Sequence, residues 1–272
     1  MRLRFASGVI LVFALEVVSF AASSCITAVF DKTPRPSHNF LQLLQKAERG
    51  DRRAQFQVAL AYESGVGTEL NYVEAAHWYR QAADRGDLGA QNNLGSMYGR
   101  GLGVAQSNLE AVKWYLRAAA DGLAAAQYNL AIMYEHGDGV PASEETAMSW
   151  FGKAAAKGYV PAEVQLAAMY LNGDAVPADA NEALRWYRKA AKSGNAAAEF
   201  NLGLAYLRGT GVSKNVREAF RWLEKASKHG SAAANRVLLA AKREVEVPPA
   251  AGGQSSAGFS AVSADGTAAN LP

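Results

Sequence analysis

Small and apolar residues recur along this chain at helical intervals, in blocks punctuated by glycine. Ala90, Leu94 and Tyr98 stand four residues apart and therefore share one helical face. Gly101 and Gly103 stop that helix and form a turn, since glycine accepts positive φ without a Cβ clash. Ser107 and Glu110 then predict a capping box, in which each side chain satisfies the backbone N–H at the other's position. Ala111, Trp114, Tyr115, Ala118 and Ala119 follow at i, i+3, i+4, i+7 and i+8, a second helix buried on its Trp side. Gly122 closes it at the C′ position. The block reads as helix, turn, helix.

The same block returns along the chain. Trp78, Trp114, Trp150, Trp186 and Trp222 are separated by 36 residues at every step, the signature of a repeat architecture. Ala54, Ala90, Ala126, Ala162, Ala198 and Ala234 form a second column, and Tyr62, Tyr98, Tyr134, Tyr170 and Tyr206 a third. Two glycine columns accompany them, Gly65 to Gly209 and Gly86 to Gly230. The pattern defines five units: 54–89, 90–125, 126–161, 162–197 and 198–233. Asn71/Glu74, Asp179/Glu182 and Asn215/Glu218 repeat the cap spacing, whereas Ser143/Thr146 departs from it. The second helix of that third unit is therefore expected to fray most readily. Small Ala residues let helices approach while Trp and Tyr fill the remaining space. Each Trp could bury ~150–250 Å², worth roughly 4–6 kcal/mol before opposing terms. One helix pair cannot cover both of its apolar faces, so the units must stack into an all-α solenoid.

The ends read differently. Arg2 and Arg4 precede the apolar run Phe5–Leu15, and Ala21 to Ser24 supply small residues, the layout of a signal peptide over 1–24. Glu16 interrupts the apolar run, which is short of the ~20 residues of a membrane anchor. Cleavage with export to the periplasm or medium, an uncleaved anchor, and lipidation at Cys25 all stay open, with cleavage favoured. Residues 25–38 form a Pro-containing linker, 39–53 an N-terminal half-repeat cap, and 234–246 a C-terminal capping helix. The tail 247–272, with Pro248-Pro249 and Gly252-Gly253, is expected to be disordered.

Composition removes several classes of function. With 28 Lys+Arg against 25 Asp+Glu, net +3, no dominant basic field marks a nucleic-acid binder. One cysteine excludes an internal disulfide framework and a multi-Cys zinc site. His38, His77, His136 and His229 stand in different repeat columns without metal-ligand spacing, so they read as structural or surface residues. The Gly-x-Gly pairs follow helices and lack a trailing Lys-Ser/Thr, so they are turns and not phosphate loops. Glu135, Asp138, Glu144 and Glu145 cluster without Ca²⁺-loop spacing and read as a solvated loop. No catalytic, metal or cofactor site emerges.

What remains is surface. On the first helix of each unit, Ala54, Val58 and Tyr62 form one apolar face, and Phe56 and Leu60 point roughly the opposite way at ~100° per residue. Tyr128, Ile132, Val164, Phe200 and Leu204 continue that second stripe, which inter-repeat packing explains better than a ligand groove. Between the faces runs an amide column, Gln57, Asn93, Asn129, Gln165 and Asn201. Beside it runs Ser64, Arg100, His136, Asn172 and Arg208. Amides can both donate to and accept from an extended peptide backbone, and Arg can fork onto a carboxylate. Equally, the amides could bond neighbouring helices. The candidate partner-binding set is Asn93, Arg100, Asn129, His136, Gln165, Asn172, Asn201 and Arg208.

Ala90–Val104 (AQNNLGSMYGRGLGV), Glu110–Ala119 (EAVKWYLRAA) and Gly122 together resemble the Sel1-like repeat, a relative of the tetratricopeptide repeat. The resemblance covers Ala54 to Ala234, with departures at Ala175, Leu223 and Thr68. It implies a right-handed superhelical solenoid whose first helices line the concave side, where such proteins bind peptides. It also implies a non-enzymatic scaffold or regulator of the bacterial envelope acting on a partner protein or peptide. A sensor kinase and a polysaccharide-export component are candidate partners, because one exported subgroup represses a membrane sensor kinase and others act in exopolysaccharide control. Cell-wall or β-lactam hydrolysis is the competing enzymatic class. This chain lacks the paired cysteines of the disulfide-rich Sel1-repeat proteins linked to β-lactams, and any S-x-x-K motif, so that activity does not carry over.

Overall fold

The computed structural model describes residues 36–246. Among them are twelve α-helices and no strand, an all-α repeat fold. The leader, Cys25, most of the linker and the tail lie outside the described residues. The helices are α1 (His38–Glu48), α2 (Arg52–Ser64), α3 (Tyr72–Asp84), α4 (Leu88–Arg100), α5 (Asn108–Ala120) and α6 (Ala124–His136). They continue as α7 (Glu144–Ala156), α8 (Val160–Asn172), α9 (Ala180–Lys192), α10 (Ala196–Arg208), α11 (Val216–Lys228) and α12 (Ala232–Glu246). The chain divides into two compact units, one holding α1–α3 with Leu102–Val104 and the other holding α4–α12.

In the first unit, Asp51 caps α2 by accepting from the Ala54 N–H (2.8 Å), and Gly65 ends it with φ +70. Phe40, Ala47, Ala54 and Val58 form the core, with Phe40 edge-on to Tyr62 at 5.2 Å. Gly103 packs directly on the main chain at Tyr72, so close that a Cβ there would lie 2.0 Å from the Tyr72 carbonyl oxygen.

In the second unit each helix packs on its predecessor and its successor. The second helix of one repeat and the first helix of the next share each cluster. Ala111, Val112, Tyr115, Ala118 and Ala119 of α5 meet Ala126, Leu130 and Met133 of α6, and Phe151 and its neighbours on α7 meet Leu166 and Met169 of α8. The junction between them is a Schellman turn. After α5, Gly122 N–H donates to Ala119 O (3.0 Å) and Leu123 N–H to Ala118 O (2.9 Å), with Gly122 at φ +88.

Two local expectations are corrected. The reciprocal half of the capping box does not form. The N-cap side chains do accept from the first-turn N–H groups, as Ser107 Oγ does from Glu110 N–H (3.3 Å). The N-cap N–H groups, however, donate to the column tyrosines: Asn71 to Tyr62 O, Ser107 to Tyr98 O, Ser143 to Tyr134 O, Asp179 to Tyr170 O and Asn215 to Tyr206 O, at 2.7–2.9 Å. A carbonyl of the preceding helix thus takes the donor that the glutamate was expected to serve. The freed glutamates pair with a base three residues on, Glu110 with Lys113 (2.6 Å) and Glu182 with Arg185 (2.7 Å). At the third unit Ser143 Oγ likewise accepts from Thr146 N–H (3.2 Å), and α7 spans thirteen residues like its equivalents.

The tryptophans are also less deeply buried than a core reading implies. Only Trp114 is buried, and the other four are half-buried. The residue after each is the deeper one, Tyr79, Tyr115, Phe151, Tyr187 and Leu223 all being buried. Burial pushes the Tyr187 phenol up to about 12. In four of the five repeats a cation three residues on covers the indole: Arg117 over Trp114 (4.5 Å), Lys153 over Trp150 (3.6 Å), Lys189 over Trp186 (4.9 Å) and Lys225 over Trp222 (4.2 Å). A ring face open to a cation is favourable without full burial.

Ala175, which stands where other repeats carry glycine, holds φ +61. A non-glycine residue there costs about 1–2 kcal/mol, and glycine would lose about 0.5–1 kcal/mol more chain entropy on folding. Ala175→Gly should therefore raise stability by roughly 0.5–1 kcal/mol, read as a higher urea midpoint at unchanged slope.

Candidate functional site

All eight candidate residues lie on the first helices of the second unit. Asn93 on α4, Asn129 on α6, Gln165 on α8 and Asn201 on α10 are half-buried. Arg100, His136, Asn172 and Arg208 end the same helices, seven residues further on, and are exposed. Seven residues are two turns, so the two rows run about 10 Å apart along each helix. Gln57 and Ser64 hold the corresponding positions on α2 in the first unit, both exposed. Arg100, His136 and Arg208 sit in the last helical turn, where positive charge is favoured by the helix dipole. Neither arginine forms an ion pair among the described residues.

The amides do not all behave alike. Asn129 Nδ2 donates to Asn92 Oδ1 (2.9 Å), and Asn92 Nδ2 donates to Asn93 Oδ1 (3.3 Å), so α4 and α6 are tied together across the seam. Here the structural role weighed above is realised. Gln165 and Asn201 make no side-chain hydrogen bond among the described residues and present both donor and acceptor. Asn172 Nδ2 reaches Asp174 Oδ2 (3.2 Å) at the end of α8. The open part of the seam is therefore α8–α10, with Arg208 at its edge.

Asn92 was missed in the sequence. Its column otherwise holds Phe56, Tyr128, Val164 and Phe200, and one polar residue in an apolar column was the available signal. The apolar stripe packs inward at Tyr128, Ile132, Val164 and Phe200, whereas Leu60 is exposed. Tyr128 contacts Phe151 and Tyr159 at ring distances of 5.5 and 5.4 Å, while Val164 and Phe200 pack against buried clusters. Burial, then the neighbouring Tyr159 and Glu135, push the Tyr128 phenol up. Burial likewise raises Tyr115, opposed by a hydrogen bond from Ser96 and by the Arg100 charge.

A second missed column supports the seam from behind. Gln55, Gln91, Gln127, Glu163 and Glu199 are buried and again 36 residues apart. Gln55 Nε2 donates to Ala47 O and Gln127 Nε2 to Ala119 O, both at 3.1 Å, clasping the end of the preceding helix. A carboxylate cannot donate, and in the fourth repeat a lysine makes the bond to the helix end instead. Lys189 Nζ donates to Ala155 O (2.7 Å) and pairs with Glu163 (2.9 Å). His229 Nδ1 lies 2.7 Å from Glu199 Oε2.

Among the described residues no group of three His, Cys, Asp or Glu side chains is placed to hold a metal ion. No described helix is long and apolar enough to cross a membrane. The arrangement offers hydrogen bonds and charge along a line of parallel helices, which suits recognition of another chain.

Comparison with known proteins agrees with the all-α repeat fold. The Sel1 repeat model matches residues 52–87, 89–123, 124–159, 160–195 and 196–231. Among solved structures, the chain is similar to a Sel1 repeat protein from Oxalobacter formigenes, at 35% identity and TM-score 0.68 over 74% of this chain and 58% of that one. It is also similar to c5321, a protective antigen present in uropathogenic Escherichia coli strains displaying an SLR fold, at 30% identity and TM-score 0.64 over 72% of this chain and 50% of that one. The chain thus spans between half and three-fifths of the length of these two relatives. No curated protein matches it.

Proposed function

Because the chain belongs to the Sel1 repeat family, whose members generally mediate protein–protein interaction, we propose that it is a non-enzymatic scaffold. On this reading it binds an extended segment of a partner protein along the first-helix seam. The observation that carries the reading is the pair of half-buried amides without partners, Gln165 and Asn201, beside the exposed Arg208. A half-buried amide is held in place by its helix yet free to bond, so binding costs little further ordering. Arg100 and Arg208 would engage carboxylates of the partner. The Arg2–Ser24 segment, with its charged start and apolar run, supports an envelope location, where the scaffold would act as a regulator or assembly factor.

The test is the double variant Arg100→Glu/Arg208→Glu, used as bait in native membranes and periplasm. Both side chains are exposed, so the thermal melt should stay within about 2 °C of wild type, as expected for surface changes. Recovery of the co-purifying partner should fall at least about tenfold, equivalent to roughly 1.4 kcal/mol. Undiminished recovery by the folded double variant contradicts the seam.

A further inference from the structure

The charge of this chain is laid out unevenly. Residues 180–246 carry 13 Lys and Arg against 6 Asp and Glu, whereas residues 36–179 carry 11 against 16. The positive excess gathers on two successive second helices. On α9, Arg185, Arg188, Lys189 and Lys192 stand at i, i+3, i+4 and i+7 and so share one face. On α11, Arg217, Arg221, Lys225 and Lys228 run along one side in the same way. Arg185 and Arg221, Lys189 and Lys225, and Lys192 and Lys228 are repeat equivalents. The matching positions on α7 are Ser149, Lys153 and Ala156, so the rows are particular to the last two complete repeats.

Half of these cations are already engaged within the fold. Arg185 pairs with Glu182, Arg221 with Glu218 and Lys189 with Glu163, while Lys225 lies over Trp222. Arg188, Lys192, Arg217 and Lys228 are exposed and form no ion pair among the described residues. On α9 the row borders a groove of about 420 Å³ lined by Arg185, Trp186, Arg188, Lys189 and Lys192. Trp186 and Trp222 pack against the same buried cluster, which fixes the two rows side by side.

We propose that the outer face of α9 and α11 is a second docking surface, separate from the first-helix seam, and that its occupant is an acidic protein segment. Unpaired like charges held on neighbouring rigid helices repel one another, and a line of partner carboxylates removes that repulsion. Guanidinium forks match carboxylates in plane and spacing. Two alternatives fit less well. A lipid surface would want apolar side chains standing among the cations, but no large apolar residue of α9 is exposed and α11 exposes only Val216 at its start. A nucleic-acid duplex is longer and more densely charged than a short acidic segment, and residues 36–179, with 11 Lys and Arg against 16 Asp and Glu, offer it no further basic track.

The experiment titrates the full chain into a fluorescein-labelled Asp/Glu-rich peptide and follows anisotropy. Vesicles containing phosphatidylglycerol and a short DNA duplex serve as competing probes. The acidic peptide should bind, weakening at least about tenfold between roughly 50 and 300 mM salt as screening grows. The set R188E/K192E/R217E/K228E should lose at least about tenfold in affinity, while K46E/R53E, which reverses two exposed cations on α1 and α2, binds as wild type. If reversal of four charges prevents folding, the neutral set R188Q/K192Q/R217Q/K228Q gives the same comparison with a smaller loss. Three results overturn the proposal: no peptide binding, unchanged binding by the quadruple variants, or tighter binding of vesicles or duplex than of peptide.

Discussion

Gly103→Ala is expected to destabilise the protein by about 2–5 kcal/mol. The added Cβ would lie 2.0 Å from the Tyr72 carbonyl oxygen and 2.2 Å from its carbon. Both atoms are main chain, held in place by the N-cap turn of α3, so neither can rotate away as a side-chain end could. The residue also sits at φ +67, where a non-glycine residue costs about 1–2 kcal/mol on its own. Overpacking adds about 1–3 kcal/mol. Gly152→Ala is the matched control, since a Cβ there meets nothing within 4 Å. Gly152 lies inside α7, so the control should gain about 0.5–1 kcal/mol from helix propensity. Urea unfolding followed by circular dichroism reads both. Equal behaviour of the two variants would mean that the loop–main-chain contact does not govern the close approach of these elements.

The second large effect concerns the buried carboxylate of Glu163. Lys189→Met leaves it without its cation and removes the bond to Ala155 O. Breaking a fully buried pair costs about 3–5 kcal/mol. Because the Lys189 side chain is 43% exposed and Glu163 only 2%, water can partly replace the lysine, and about 2–4 kcal/mol is expected. The informative step is the double variant Glu163→Gln/Lys189→Met. It restores the arrangement of the third unit, where Gln127 alone reaches Ala119 O, and stability should return to within about 1 kcal/mol of wild type. A double variant as unstable as Lys189→Met would show that the lysine stem, packed beside Trp186, supplies the stabilisation instead of the pairing. A thermodynamic cycle over the four proteins separates the two.

The helices, their order and the glycine turns are legible in the sequence because each rests on short-range periodicity. Ala, Leu and Tyr at four-residue steps, and glycine at the same place in each unit, leave little freedom to the backbone. What escaped the sequence depends on a competing partner elsewhere in the fold. The capping glutamates lose their expected N–H to the column tyrosine carbonyls, which no spacing within the cap reveals. Four of the tryptophans carry a cation three residues on over the ring, and the deeper place goes to the residue after each tryptophan, which the Trp spacing does not reveal. The buried Gln and Glu column escaped because polar residues beside an apolar face read as solvent-exposed. Its signal was the 36-residue recurrence of an amide at Gln55, Gln91 and Gln127, followed by carboxylates at Glu163 and Glu199. For the candidate seam, the columns were visible, but the division of labour within them was not. Asn129 is used to tie helices, and Gln165 and Asn201 are left open, because Asn92 stands where the other repeats place an apolar residue.

The seam as the partner-binding surface is tested most directly by site-specific photo-crosslinking of the full chain in its native envelope. A photoreactive residue replaces His136 or Asn172, exposed at the ends of α6 and α8, or Ala120 or Ala156, exposed on α5 and α7. The account predicts one discrete crosslinked protein from the first pair of positions and none from the second. The reverse pattern, or equal crosslinking from all four positions, would contradict it.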